Sequence, residues 1–205
     1  MRRVVLALAA AAALMLVGCT APGRAPVAPD AARDNTLGSA SASVTIDEWA
    51  DFQCPACRNF AALQPGLDQA VLRDGSTRFV FHHMAFLGPE SIRAAEAAEC
   101  AGDQGRFWAY HDALYAAQNG ENRGTFGTDH LKQFATSIAL DQGAFNSCLD
   151  SDKYVTRVQQ ETLAGMQLGV NSTPTLFVNG QRVALTTRQD PVETIRLAVR
   201  SARPR

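Results

Sequence analysis

DFQCPACR, residues Asp51 to Arg58, places two cysteines three positions apart around a proline and an alanine. Such a pair can hold a metal, staple a loop or carry electrons, and its flanks decide between these. Upstream, SVTIDEWADF (Ser43 to Phe52) alternates before turning apolar at Trp49, which predicts a buried strand. Downstream, Phe60, Leu63, Leu67 and Val71 recur at intervals of three and four, which predicts one face of a helix. The cysteines therefore sit where a strand hands over to a helix. Pro55 suits the first helical position, because its missing N–H would have no intrahelical partner there. Free N–H groups and the positive end of the helix dipole favour a thiolate at Cys54. Cys57, one turn further in, is expected to be more buried and suited to resolving a mixed disulfide. Pro65 falls inside the helical pattern and is expected to kink or divide it.

The chain has 205 residues, 46% of them hydrophobic, and a formal charge of -1, with its 19 Lys and Arg scattered. One core-forming domain and no affinity for nucleic acid are the expectations. Residues 1–18 differ from the rest: Arg2 and Arg3 precede an apolar run from Val4 to Val17, too short to span a membrane comfortably but of export-signal length. That run ends in LVGC (Leu16 to Cys19), which resembles the lipobox of bacterial lipoprotein signal peptides and so implies lipidation at Cys19. Residues 19–41 are rich in proline, alanine and serine, and read as a flexible tether ahead of a folded domain at 42–205.

Setting Cys19 aside leaves four cysteines, an even number that suits an oxidising compartment. Cys54 and Cys57 are close in sequence, whereas Cys100 and Cys148 lie 48 positions apart, so the long-range pair is the natural structural staple. A four-cysteine metal site would want two short-spaced pairs, and the chain has one. FVFHHMAF (Phe79 to Phe86) predicts a second buried strand, with His82 and His83 on opposite faces at its end. Residues from about 88 to 169 carry helical patterns and contain Cys100 and Cys148. A strand at Thr175 to Asn179, a turn at Asn179 and Gly180, a return strand at Arg182 to Leu185 and a helix after Asp190 and Pro191 complete the chain. The aromatic stripe of Phe107, Trp108 and Tyr115 reads as core, and Asp51 as a solvated turn acid.

The residues 52-FQCPAC-57, 172-STPT-175 followed by LFVNG, and 100-CAGDQGRFWAYHDALY-115 together resemble the DsbA-like thiol-disulfide oxidoreductases, over roughly Ser43 to Ala202. The resemblance implies an α/β, thioredoxin-like fold with a helical insertion between the second and third strands. It also implies that Glu48 is a buried acid near the second cysteine, able to shuttle a proton to and from Cys57. Pro174 would be the family's cis-proline, lying against the cysteines and shielding them from metal, with the backbone of Thr173 free to pair with an extended substrate. His83 falls where it could tune the thiolate.

The function expected is extracytoplasmic disulfide exchange through a Cys54/Cys57 dithiol-disulfide cycle, with no cofactor and no metal. Exported proteins with cysteine thiols would be the substrates, a membrane redox partner would re-oxidise the enzyme, and lipid at Cys19 would anchor it outside a bacterial membrane. The alternatives are a reductase or isomerase of the same fold, a secreted or periplasmic soluble form, and a copper-handling lipoprotein using Cys54, Cys57 and a histidine.

Overall fold

The computed structural model describes residues 35–186 and 188–204; the expected signal segment, Cys19 and most of the expected tether lie outside them. Five strands form one mixed sheet in the order β1-β3-β2-β4-β5. They are β1 (Thr36–Gly38), β2 (Val44–Ala50), β3 (Thr77–His83), β4 (Thr175–Val178) and β5 (Gln181–Val183). β2 runs parallel to β3, and the other pairings are antiparallel. Between β2 and β3 come α1 (Pro55–Ala61), α2 (Gln64–Leu67) and a π-helical turn at Asp68–Leu72. The insertion supplies α3 (Pro89–Gly102), α4 (Phe107–Ala117), α5 (Thr128–Ser137), α6 (Gln142–Asp150) and α7 (Val155–Gln167), and α8 (Pro191–Ala202) closes the fold.

The alternation in β2 and β3 sets the layers. Their parallel register puts Ile46 beside Phe79 and Glu48 beside Phe81, with Trp49 beside His82 on the other face. Val44, Ile46, Phe79, Leu176 and Val178 pack with Phe60, Leu67 and Val71, and with Ile195 and Val199 of α8. Trp49 and Met84 pack with Val170 and the partly buried Ala164 of α7. A larger cluster joins Phe52, Phe81, Cys54 and Cys57 to the insertion, including Phe107, Tyr110, Leu114 and Tyr115. Most of the stripe expected as core is thus buried, while Trp108 packs partly exposed at its edge. Cys100 of α3 and Cys148 of α6 form a disulfide within the insertion, their Cα atoms 5.8 Å apart.

Some boundaries differ from the sequence pattern, and one falls where the pattern put it. β1 lies inside the stretch read as tether, so the folded part begins by Asn35, not at residue 42; Asn35 is buried and donates through its side chain to the Phe81 carbonyl. Three residues offer no periodicity to read, and β1 exists only because β3 presents an open edge to it. The helical pattern after Cys57 breaks as Pro65 requires: α1 ends at Ala61 and α2 starts with Pro65 in its first turn. The return strand spans Gln181–Val183, not Arg182 to Leu185.

α7 can lie on Trp49 because residue 165 is glycine. A Cβ there would fall 2.6 Å from Cε3 and 2.8 Å from Cζ3 of Trp49, and 3.0 Å from Sδ of Met84. Overpacking of this kind costs about 1–3 kcal/mol, more than the ~1 kcal/mol that Ala gains over Gly in a helix. Gly165→Ala is therefore expected to lower the thermal midpoint by a few degrees. An unchanged or higher midpoint in calorimetry would mean that α7 does not approach the sheet this closely.

Candidate active site

Cys54 is the N-cap of α1, with φ -75° and ψ 119°, and Pro55 follows in the first turn. Cys57 is fully buried and Cys54 nearly so; both are free thiols here. The Thr173–Pro174 peptide is cis, and the Cys54 thiol donates to the Thr173 carbonyl at 3.3 Å. The structure thus brings Thr173 next to Cys54 across 119 residues of sequence.

The two thiols differ sharply in acidity. Cys54 is lowered from 9.0 to about 6, chiefly because the Cys57 thiol donates to it. The side chain of Thr173 and the backbone N–H groups of Cys57 and Ala56 act the same way, against the opposing effect of burial. Cys57 is pushed well above the ordinary thiol range by burial, then by its bond to Cys54 and by the negative charges of Cys54 and Glu48. At neutral pH one sulfur is an anion and its neighbour holds its proton.

Glu48 lies on β2, on the sheet face that carries Phe81 and Leu176. It is buried, and its Oε1 has no hydrogen-bond partner among the described residues. Burial raises its carboxyl from 4.5 to about 8; the Cys54 charge adds to the rise and His82 opposes it. This is an acid that holds a proton at pH 7 and interacts electrostatically with Cys57.

Asp51 corrects the sequence reading. It is buried, not solvated, and its carboxylate accepts from the N–H of Gln53 (2.8 Å), the hydroxyl of Ser91 (2.7 Å), and the N–H groups of Phe86 (3.0 Å) and Leu87 (3.1 Å). Gln53 is equally hidden, and its side-chain amide reaches Ser91 and Asn122. The turn leading into Cys54 is therefore built around an acid three of whose four partners lie 35 to 40 residues away.

His82 bridges Asp47 and Glu161, each at 3.0 Å, beneath the Trp49 ring. Burial works against its charge, but the two carboxylates outweigh it and raise its pKa to about 9. His83 packs against Phe52 and bonds Glu99 at 3.0 Å. Among the described residues the one cluster with metal-ligand spacing is His83, Glu99 and Glu161, whose atoms lie within 4.8 Å of one another. It includes neither redox cysteine, and its acids already face His82, His83 and Arg157.

A reactive dithiol at a helix N-terminus, a proline loop against it and a buried acid behind it define a dithiol protein of the thioredoxin fold with a helical insertion, and similarity to known proteins agrees. The chain belongs to the thioredoxin family, whose Thioredoxin model matches residues 30–196. It is 37% identical to a Na+/H+ antiporter NhaA of Salinispora tropica over 77% of this chain and 23% of that protein, so it spans about a quarter of such relatives. It is 28% identical to a probable disulfide bond formation protein D of Bacillus anthracis, over 71% of this chain and 69% of that one. The crystal structure of oxidised BdbD from Bacillus subtilis, at 23% identity, shares the fold: its TM-score is 0.74 over 82% of this chain and 91% of that one. Among the described residues no helix is long and apolar enough to cross a membrane.

Proposed function

We propose that the protein is an extracytoplasmic thiol-disulfide oxidoreductase that oxidises cysteines of exported proteins through Cys54 and Cys57. The observation that carries this is the split between the two thiols: an anionic sulfur at the N-cap of α1 beside one that keeps its proton. In the oxidised enzyme a substrate thiolate attacks Cys54 Sγ and the Cys54–Cys57 bond breaks. Cys57 leaves with the electron pair and takes the proton that Glu48 holds. A second substrate thiolate then attacks the substrate sulfur of the mixed disulfide and releases Cys54 as a thiolate. Two electrons pass to the enzyme and the substrate gains a disulfide. A membrane electron acceptor restores the oxidised state.

Thr173 and Pro174 form the substrate-facing wall, and the Cys100–Cys148 disulfide braces the insertion. Residues 1–18 act as the export signal, and lipid on Cys19, followed by a spacer that ends before Asn35, tethers the domain outside the membrane; the LVGC motif supports this. The relative named for disulfide bond formation supports the oxidising direction.

Magnitudes limit what the thiolate alone can do. At pH 7, lowering one thiol from 9.0 to about 6 favours the reduced form by about 1.4 kcal/mol, which is about 30 mV for a two-electron couple. The gap between thioredoxin, about -270 mV, and DsbA, about -120 mV, is five times larger. Equilibration against glutathione buffers tests the direction. A potential well above -270 mV, with transfer of the disulfide to a reduced dithiol peptide, is the expected result. A value at or below the thioredoxin figure would make the protein a reductase.

A further inference from the structure

Several side chains of the helical insertion reach the turn before Cys54, and one of them, Gln118, holds the backbone of Cys54 itself and is left unused by the disulfide-exchange chemistry above. Gln118 caps the C-terminus of α4, with φ -57° and ψ 127°, and its own N–H reaches back to the Tyr115 carbonyl. The residue is 5% exposed. Its side-chain amide donates to the Phe52 carbonyl at 2.6 Å and to the Cys54 carbonyl at 3.1 Å. The guanidinium of Arg58, on α1, donates in return to the Gln118 carbonyl at 3.1 Å. The link is thus reciprocal: α4 grips the turn before α1, and α1 grips the end of α4.

Resting on the thiol-disulfide reading, we propose that Gln118 is a positioning residue for the reaction: by holding the carbonyls of Phe52 and Cys54 it fixes the N-cap geometry that aims the N–H groups of Ala56 and Cys57 at the Cys54 sulfur. The thiolate is stabilised partly by those two N–H groups, which face the sulfur only while Cys54 keeps an extended ψ ahead of a helical Pro55. The Cys54 carbonyl already accepts the first helical bond, from the Arg58 N–H at 3.1 Å, and its second lone pair goes to Gln118. The Phe52 carbonyl has no strand partner, because β2 ends at Ala50. Both carbonyls sit in a buried turn, so an amide with two donors suits them, whereas an apolar side chain leaves Phe52 unpaired and the turn free to shift. Tyr115, one turn earlier on α4, donates from its hydroxyl to the Asp51 carbonyl at 3.4 Å, so the same helix end touches three residues of the DFQC turn.

The test uses the full chain and two substitutions that keep the shape of the side chain. Gln118→Met removes both donors, and Gln118→Glu replaces them with a group that only accepts and adds negative charge near Cys54. The readouts are the pH midpoint of thiolate absorbance in the reduced protein, the rate of Cys54 alkylation, and thermal stability, with Gly165→Ala as a variant that weakens the fold from the opposite face of the sheet. Gln118→Met is expected to raise the midpoint by about one unit, a tenfold loss of thiolate below it, and Gln118→Glu to raise it further. Gly165→Ala is expected to lower stability and leave the midpoint in place. A folded Gln118→Met protein with the native midpoint overturns the proposal. If that variant does not fold, Arg58→Ala decides, since it frees the other half of the clamp from an exposed position: a rise in the midpoint supports the proposal and an unchanged one overturns it. Native Cys54 ionising like free cysteine would instead overturn the thiol-disulfide reading, and the difference between native and variant would still decide the role of Gln118.

Discussion

Replacing Cys54 by serine is expected to bring disulfide transfer to the uncatalysed background, and alkylation of the reduced native protein to be confined to Cys54 with a midpoint near pH 6. Of the two sulfurs Cys54 is the one that ionises, and Cys57 is both more buried and held as a thiol. Cys57→Ser is expected to behave differently: it keeps the nucleophile but loses the resolving thiol, and so accumulates mixed disulfides with substrate. Cys57→Ala, which unlike serine has no hydroxyl to donate in place of the thiol, removes the largest source of the Cys54 shift, so its midpoint should move upward from 6.

The same shift has a signature in stability. An acid whose folded pKa lies below its unfolded value stabilises the fold fully above the unfolded value and loses that contribution as pH falls through the folded one. For Cys54 the window runs from 9.0 down to about 6, and the contribution at pH 7 is about 1.4 kcal/mol. The oxidised protein has no thiolate and none of this term. The advantage of the reduced over the oxidised form in urea denaturation should therefore shrink by roughly that amount between pH 7 and pH 5. A gap that does not move with pH would mean that the thiolate does not stabilise the reduced form.

The parts of the site that were legible in the sequence are those encoded within one or two elements. Alternation through Val44 and Ile46 marks β2, the three-and-four spacing of Phe60, Leu63 and Leu67 marks the helical stretch beyond Cys57, and Pro55 marks the start of a helix between them. Cys54 lands on the N-cap by local rules alone. What escaped the sequence is set by contacts across long separations. Asp51 reads as a turn acid because nothing nearby shows that Ser91, Phe86 and Leu87 will surround it. Gln118 is 64 residues from the cysteine whose carbonyl it holds, in a stretch that reads only as the end of an amphipathic helix. β1 is too short to carry a period and depends on the free edge of β3. His82 sits on the face opposite Glu48, as alternation predicts, yet its charge depends on Asp47 and on Glu161 from α7, which lies on that face through the gap at Gly165. Local chemistry thus places the reactive sulfur, and the insertion supplies the groups that hold it.

Glu48→Gln is expected to stabilise the protein at alkaline pH and to slow the step in which Cys57 leaves. The two effects come from one cause. Burial holds the Glu48 carboxyl at about 8 against 4.5 when unfolded, so the folded state binds a proton more tightly and stability falls as pH rises through that window. The full 3.5-unit difference corresponds to about 5 kcal/mol, and relaxation around the charge reduces this to roughly 2–4 kcal/mol. Glutamine keeps the shape without the charge, at the cost of a buried amide at a site where Oε1 has no partner, about 1–2 kcal/mol. Near pH 5 the variant should accordingly match the native protein or fall slightly below it, and near pH 9 it should exceed it. His82 does not reverse the sign: its own pKa of about 9 lies above its unfolded 6.5, so its contribution also fades as pH rises, but equally in native and variant protein while Asp47 and Glu161 hold it. The kinetic effect arises because glutamine has no proton to give. Cys57, held far above the ordinary thiol range, is a poor leaving group as a bare anion, and its departure from the oxidised enzyme should slow most where Glu48 is protonated, below pH 8. Above that pH native and variant rates should converge. Denaturation curves and single-turnover reduction by a dithiol peptide, each across pH 5 to 9, measure the two effects. A stability difference that is flat with pH would mean that Glu48 is not an ionising buried acid, and parallel rate profiles would mean that the proton for Cys57 comes from elsewhere.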